Sequence, residues 1–143
     1  MAVELDNSFS TGKSPDENWQ AILDLDRVIP AVEGGRVVER VSPDSVKAEI
    51  AVKMGAMSMK FTGTVTVIER DDAAHKAVLQ VKSREAGGQG YANADVTFAL
   101  NDGGGTIHTS AQISGKAASM GEGVVATVLT ALIDNFSENL KNI

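Results

Sequence analysis

The last quarter of the chain, residues 119–143, constrains the fold most, because it has the pattern of one long amphipathic helix. Its apolar residues fall within about 140° of one face at 100° per residue; they are Val125, Val128, Leu129, Leu132, Ile133, Phe136, Leu140 and Ile143. Ser119 and Glu122 have capping-box spacing, which predicts that the helix begins there. So wide an apolar face needs a broad apolar partner to bury it.

The middle of the chain predicts a sheet that supplies this partner. Apolar and polar residues alternate with period 2 over six stretches, which are 36–40, 46–54, 57–67, 77–81, 92–100 and 107–113. A weaker alternation over Val3–Phe9 predicts one strand before them. Short turns such as Asp71-Asp72 and Asn101–Gly105 separate the strands. Connections this short favour an antiparallel sheet of about seven strands.

Between the first two strands the sequence predicts one helix and one turn. Ser14–Glu17 is a second capping box, with proline at the first helical position, and the helix continues to Leu23. A short turn over Leu25–Ile29 then ends at Pro30. The resulting order of elements predicts an α+β fold, a single domain over 1–143, in which a curved sheet grips the C-terminal helix.

Composition excludes several classes of function. The chain has no cysteine, so it has no disulfide, no thiolate nucleophile and no thiolate-bound metal. Its formal net charge of −6 disfavours nucleic acids and anionic lipids as main partners. No apolar run approaches the ~20 residues of a membrane span, and no signal peptide is evident at the start. These features predict a cytoplasmic protein.

The face of the sheet turned toward the long helix is almost entirely apolar. Alternation places these residues on it: Ile50, Val52, Met54, Met57, Met59, Phe61, Leu79, Val81, Ala92, Ala94, Val96, Ala111 and Ile113. Only Ser83 and Thr109 are polar there. The small alanines and soft methionines fit an apolar ligand cavity. They fit equally a dry, filled core, because protein interiors usually pack without voids.

Catalytic groups find little support in the sequence. His75 falls in a turn and His108 on the outward face, and no helix-spaced pair of histidines exists to bind a metal. The Gly87–Gly90 hairpin lacks the features of a phosphate-binding loop. Trp19 lies on the apolar face of the first helix and is predicted to pack in the core, whereas Tyr91 is a candidate to present its hydroxyl to a ligand.

As an ordered set, these pieces resemble the CoxG family of carbon monoxide dehydrogenase, within the helix-grip (START-like, polyketide-cyclase-like) superfamily. The matching pieces are Phe9, Ser14–Trp19, Ile29-Pro30, Phe61–Gly63, Gly87–Ala92, Gly103–Thr106, Gly115-Lys116 and Phe136. Ala31 departs from the family, in which glycine usually follows Ile-Pro. Members often continue into a C-terminal tail thought to reach the membrane, and nothing follows Ile143 in this sequence.

The resemblance implies a non-catalytic accessory protein of a molybdenum-containing hydroxylase such as aerobic carbon monoxide dehydrogenase. It implies an apolar cavity under the terminal helix, and no covalent cofactor. The ligand expected from the company of an oxidoreductase is a quinone, or another isoprenoid or lipid, taken from the inner face of the cell membrane. Two alternatives are a docking or assembly factor without a ligand, and a small cyclase, lyase or hydrolase acting on an apolar substrate.

The sequence therefore predicts a set of ligand-binding residues and a gate. The binding residues are Met54, Met57, Met59, Phe61, Val81, Tyr91, Ala92, Ala94, Ala111, Ile113, Val125, Leu129 and Leu132. The gate residues are Leu25, Ile29, Gly87, Gly88 and Gly90, in segments expected to have few apolar anchors and a permissive backbone. No catalytic residue and no metal ligand is predicted.

Overall fold

The computed structural model describes all of residues 1–143 and contains one antiparallel sheet with three α-helices. The seven strands are β1 (Ala2–Ser10), β2 (Gly35–Ser42), β3 (Ser45–Met54), β4 (Met57–Asp71), β5 (Lys76–Glu85), β6 (Tyr91–Asn101) and β7 (Gly104–Ile113). Their order in the sheet is β1-β7-β6-β5-β4-β3-β2. The chain thus crosses once from one edge to the other and otherwise forms hairpins, as predicted.

Two consecutive helices, α1 (Pro15–Leu23) and α2 (Leu25–Ala31), make that crossing. The Ser14 hydroxyl caps α1 by accepting a hydrogen bond from Glu17 N at 3.2 Å. The predicted turn over Leu25–Ile29 is wrong, because Asp24 caps a second helix there by accepting from Asp26 N at 3.2 Å.

The long helix α3 (Glu122–Asn139) begins three residues later than its predicted capping box. Ser119 lies instead in a 3₁₀ turn (Ala118–Met120), where its hydroxyl donates to Lys116 O at 2.6 Å. Gly121 occupies the N-cap with φ 98° and offers no side-chain cap. A second 3₁₀ turn, Leu140–Asn142, follows the helix.

Strand β7 starts before its predicted bound of Ile107, because two glycines of the predicted turn belong to the strand. Gly104 pairs with Ser10 in the register of β1 and β7. A Cβ at Gly104 would collide with the carbonyl oxygen of Phe9, so any larger residue would force the two strands apart.

The core is divided into two clusters of buried side chains. The Phe98 cluster lies where α1 and α2 meet the sheet, and its largest members include Phe9, Trp19, Ile22, Leu25, Phe98, Ile107 and Phe136. The Phe61 cluster lies under the start of α3 and contains Val3, Met54, Met59, Phe61, Ala111, Ile113, Ala117 and Val125. Helix α3 spans both clusters, with Val125 in one and Phe136 in the other.

Candidate functional site

An apolar cavity of about 180 Å³ lies between the inner face of the sheet and α3. Strands β3 to β7 form its floor, the apolar face of α3 forms its roof, and Val28, Ile29 and Val32 of the α2 segment form one side. The cavity is in contact with members of both core clusters, for example Phe98 and Phe61.

Side-chain burial gives independent support for this space. Val81, Ala94 and Val96 lie on the central strands of the sheet, beneath the helix, and yet they are only partly buried. Leu129 and Leu132, on the apolar face of α3, are also partly buried, whereas Val125 is only 1% exposed. A filled core would bury all of these residues. The predicted burial of the whole apolar face of α3 is therefore wrong in its middle, because those residues face the cavity.

Three polar side chains interrupt the apolar wall, namely Ser83, Asn93 and Thr109. The Ser83 hydroxyl donates to the carbonyl oxygen of Ala92, and Asn93 Oδ1 accepts a hydrogen bond from Ser83 N at 3.2 Å. Thr109 is 3% exposed, and its hydroxyl has no hydrogen-bond partner in the protein. The wall contains no carboxylate, amine, guanidinium or imidazole group.

The structure brings most of the predicted binding residues to this wall. Those that line the cavity are Met54, Phe61, Val81, Ala92, Ala94, Ala111, Ile113, Val125, Leu129 and Leu132. Met57 and Met59 do not line it: Met57 is partly buried beside the β3–β4 turn, and Met59 is packed into the Phe61 cluster. Tyr91 is 42% exposed on the opposite face of the sheet, because its neighbour Ala92 faces the cavity.

Sequence reasoning missed the contribution of α2, because it assigned that segment to a turn. Leu25, Val28, Ile29 and Val32 follow the i, i+3, i+4, i+7 spacing of a helix face, and Asp24 precedes them as a cap. That spacing was the available signal for the missing side of the cavity.

The predicted gate segments are more firmly anchored than expected. Leu25 and Ile29 are buried in the Phe98 cluster, so the expectation of few apolar anchors is wrong for α2. The hairpin glycines Gly87, Gly88 and Gly90 do not line the cavity. This hairpin is held by hydrogen bonds, including those from Gly87 N to Glu85 Oε2 at 2.7 Å and from Lys116 N to Gln89 O at 2.7 Å.

Both histidines lie away from the cavity. His108 is on the outer face of the sheet, where its Nδ1 is 2.7 Å from Asp6 Oδ1 and its Nε2 is 3.3 Å from Glu4 Oε1. The hydrogen bond with Asp6 is the main reason that the pKa of His108 is raised above its ordinary value. His75 lies in the β4–β5 turn, 3.4 Å from Asp16 Oδ1.

The β4–β5 turn also fixes the only tryptophan. Trp19 is buried as predicted, and its indole N–H donates to Asp72 Oδ1 at 2.9 Å. This hydrogen bond, followed by one from Arg70, lowers the pKa of the Asp72 carboxyl below its ordinary value. The contact ties α1 to the far end of the β4–β5 hairpin.

The family model for CoxG, a carbon monoxide dehydrogenase subunit, matches residues 8–143, which include every element that lines the cavity. The chain belongs to the CoxG family. The resemblance drawn from the ordered motifs is thereby confirmed. None of the functionally curated proteins matches this CoxG-family chain at a significant level.

Solved structures with the same fold extend over nearly the whole chain. A conserved protein from Geobacillus kaustophilus is 19% identical, with a TM-score of 0.78, and the alignment covers 99% of this chain and 93% of that one. A START superfamily protein from Mycobacterium smegmatis is 10% identical, with a TM-score of 0.59 and coverage of 98% and 94%. An aromatase/cyclase from Streptomyces sp. R1128 is 11% identical, with a TM-score of 0.57 and coverage of 99% and 90%.

These likenesses confirm the predicted helix-grip fold for the CoxG-family chain. None of its helices combines the length and the hydropathy that crossing a lipid bilayer requires.

Proposed function

We propose that this CoxG-family protein binds an apolar, ring-containing molecule in the cavity under α3 and serves a molybdenum-containing hydroxylase as a non-catalytic accessory protein. The observation that carries the proposal is the divided core, in which partly buried apolar side chains surround about 180 Å³ beneath the helix. Such a space forfeits packing contacts, so it favours a protein whose core is completed by a ligand.

The size of the cavity limits what it holds. A cavity of roughly 150 Å³ with an apolar lining accommodates a benzene molecule. The 180 Å³ found under α3 therefore suits a single substituted ring and is too small for a ring together with an isoprenoid chain. For a quinone, this implies that the head group occupies the cavity while the tail leaves between α3 and the sheet.

The chemistry of the wall favours binding over catalysis. A cyclase, lyase or hydrolase needs a positioned acid, base or nucleophile. The three polar side chains of the wall are two hydroxyls and an amide, and the Ser83 hydroxyl already donates to a backbone carbonyl. None of them titrates near neutral pH, so a binding protein is the better interpretation, even though an aromatase/cyclase shares the fold.

A ligand enters, in this proposal, under the N-terminal half of α3. Two hydrogen bonds tie the C-terminal half of the helix to the fold: Asn7 Nδ2 donates to Asp134 Oδ1 at 2.8 Å, and Asn139 Nδ2 donates to Ala31 O at 2.8 Å. No hydrogen bond joins residues 122–133 to the sheet or to α2. Gly121, with its positive φ, precedes this half and permits it to swing. Hydrogen exchange should be faster over residues 122–132 than over 134–139, and ligand should slow it.

The accessory role follows from the family and remains a proposal for this chain. In it, the protein takes a quinone from the inner face of the cell membrane and presents it to the hydroxylase, linking that enzyme to the quinone pool. A docking factor with an empty core is the alternative. Because the core already contains a space that a ring fits, the carrier role is favoured.

Two measurements test the proposal. Organic extraction of the protein purified from its native host, followed by mass spectrometry, should release a quinone in near-stoichiometric amount. Reduction of quinone in vesicles by the hydroxylase and its substrate should be faster with the protein than without it. Quinone reduction that proceeds at the same rate without the protein, or with a variant whose cavity is filled by Ala94→Phe, would leave docking as the better interpretation.

A further inference from the structure

One polar group in the cavity wall is left unsatisfied by the fold. Thr109 lies on β7 and is 3% exposed, and its Oγ1 has no hydrogen-bond partner in the protein. It is the only buried side-chain oxygen or nitrogen of the chain in this state. Leaving a hydroxyl buried and unpaired is costly, and native proteins pair nearly all such groups. An exception in the wall of a cavity therefore points to a partner that is not part of the protein.

The other polar side chains of the wall show the contrast. Ser83 spends its hydroxyl hydrogen on the carbonyl of Ala92, and Asn93 Oδ1 accepts from the backbone of β5. Both groups therefore complete the sheet itself. Thr109 contributes nothing of this kind, and valine would fill the same volume in an apolar core without the desolvation cost of a hydroxyl.

The position of Thr109 is also specific. Along β7 it stands between Ile107, which belongs to the Phe98 cluster, and Ala111, which belongs to the Phe61 cluster. Its partner in β6 is Val96, which also lines the cavity. The hydroxyl is thus at the boundary of the two clusters, where the core is divided, and the rest of the wall around it is apolar.

We infer that Thr109 is the specificity-determining residue of the cavity, and that it selects a ring carrying one hydroxyl or carbonyl group at its buried edge. This inference rests on the proposed function and defines its ligand class. A hydroxyl both donates and accepts hydrogen bonds, so Thr109 pairs with a phenol hydroxyl or with a ring carbonyl. A purely hydrocarbon ring leaves the hydroxyl unpaired and is discriminated against.

The test uses two probes that differ by one group, p-cresol and p-xylene, and measures the dissociation constant of each by calorimetry. Replacing Thr109 with valine should weaken p-cresol binding about tenfold relative to p-xylene, since the variant cannot form the hydrogen bond. Thr109→Ser should retain the preference for p-cresol. Ser83→Ala is the matched control, since that hydroxyl is already paired within the sheet, and it should leave the ratio of the two constants unchanged.

The outcomes separate the inference from the function on which it rests. If both probes bind and Thr109→Val leaves their ratio unchanged, the assignment of Thr109 is overturned while the cavity proposal stands. If neither probe binds the wild-type protein or any variant, the cavity proposal fails and the inference fails with it. Circular dichroism of each variant establishes that a changed ratio does not come from a lost fold.

Discussion

Filling the cavity from its floor should stabilise the protein, whereas filling a packed core should not. Ala94 lies on β6, opposite Ala111 of β7 and Val81 of β5, and all three line the cavity. Ala94→Phe adds a ring of the size that a cavity of roughly 150 Å³ holds, and 180 Å³ is present. The added ring should therefore fit with little displacement of α3.

The expected magnitude comes from two opposing terms. Fully burying a phenylalanine side chain is worth roughly 1.5–3 kcal/mol. An imperfect rotamer in a fixed space costs about 0.5–1.5 kcal/mol. The net change in the free energy of unfolding should be a gain of about 1 kcal/mol, which raises the melting temperature of a chain of this length by about 3 °C. Binding of p-cresol should be lost at the same time.

Urea denaturation monitored by circular dichroism measures the change, with Ala77→Phe as the matched control. Ala77 also faces the inner side of the sheet, but it is completely buried in the Phe98 cluster. Overpacking at such a site typically costs about 1–3 kcal/mol or more. If Ala94→Phe is destabilised as much as Ala77→Phe, the space under α3 does not exist in solution and the reasoning is refuted.

Three further predictions concern the surface and the turns. Asp72 has a lowered pKa in the folded protein, so its contribution to stability is present at neutral pH and is lost as pH falls through that pKa; Asp72→Asn should flatten this acid loss in urea midpoints taken between pH 7 and 3, and an unchanged slope would contradict the assignment. His108 has a raised pKa, so its contribution is full below pH 6.5 and is lost as pH rises through the folded-state value; midpoints of His108→Gln between pH 5 and 8 should lack that decline, and a decline equal to that of wild type would argue against the contact. Gly115→Ala should cost more than the about 1–2 kcal/mol expected for Gly88→Ala, since both have positive φ but only a Cβ at Gly115 meets neighbouring backbone; equal unfolding free energies would show that the turn relaxes.

The sheet and the long helix were predictable because their signals are periodic and long. Alternation over β3 to β7 identifies the inward residues without knowledge of the sheet order, so the floor of the cavity followed from the sequence. Helix boundaries were less accessible. Ser119 and Glu122 have the spacing of a cap, but a 3₁₀ turn takes Ser119 and a glycine begins α3 instead. A capping motif defines which residues are able to cap, and tertiary contacts decide which of them does.

The presence of the cavity could not be predicted from pattern alone. The same apolar residues build a filled core or a lined space, and the difference depends on how far α3 stands from β5 and β6. Two features of particular residues were hidden for the same reason: the burial of α2 around Leu25, and the unpaired hydroxyl of Thr109. Each depends on the distance between elements, which a period along the chain does not encode.

The division of the core has a consequence for the response of the protein to hydrostatic pressure. Unfolding eliminates internal voids, so the volume of the system decreases and pressure favours the unfolded chain. A void of 180 Å³ corresponds to at most about 110 mL/mol, at the upper end of the range for unfolding of globular proteins. A molecule that fills the void removes most of this term. Occupancy of the cavity therefore sets the pressure at which the protein unfolds, and that pressure is a measure of occupancy that needs no knowledge of the ligand.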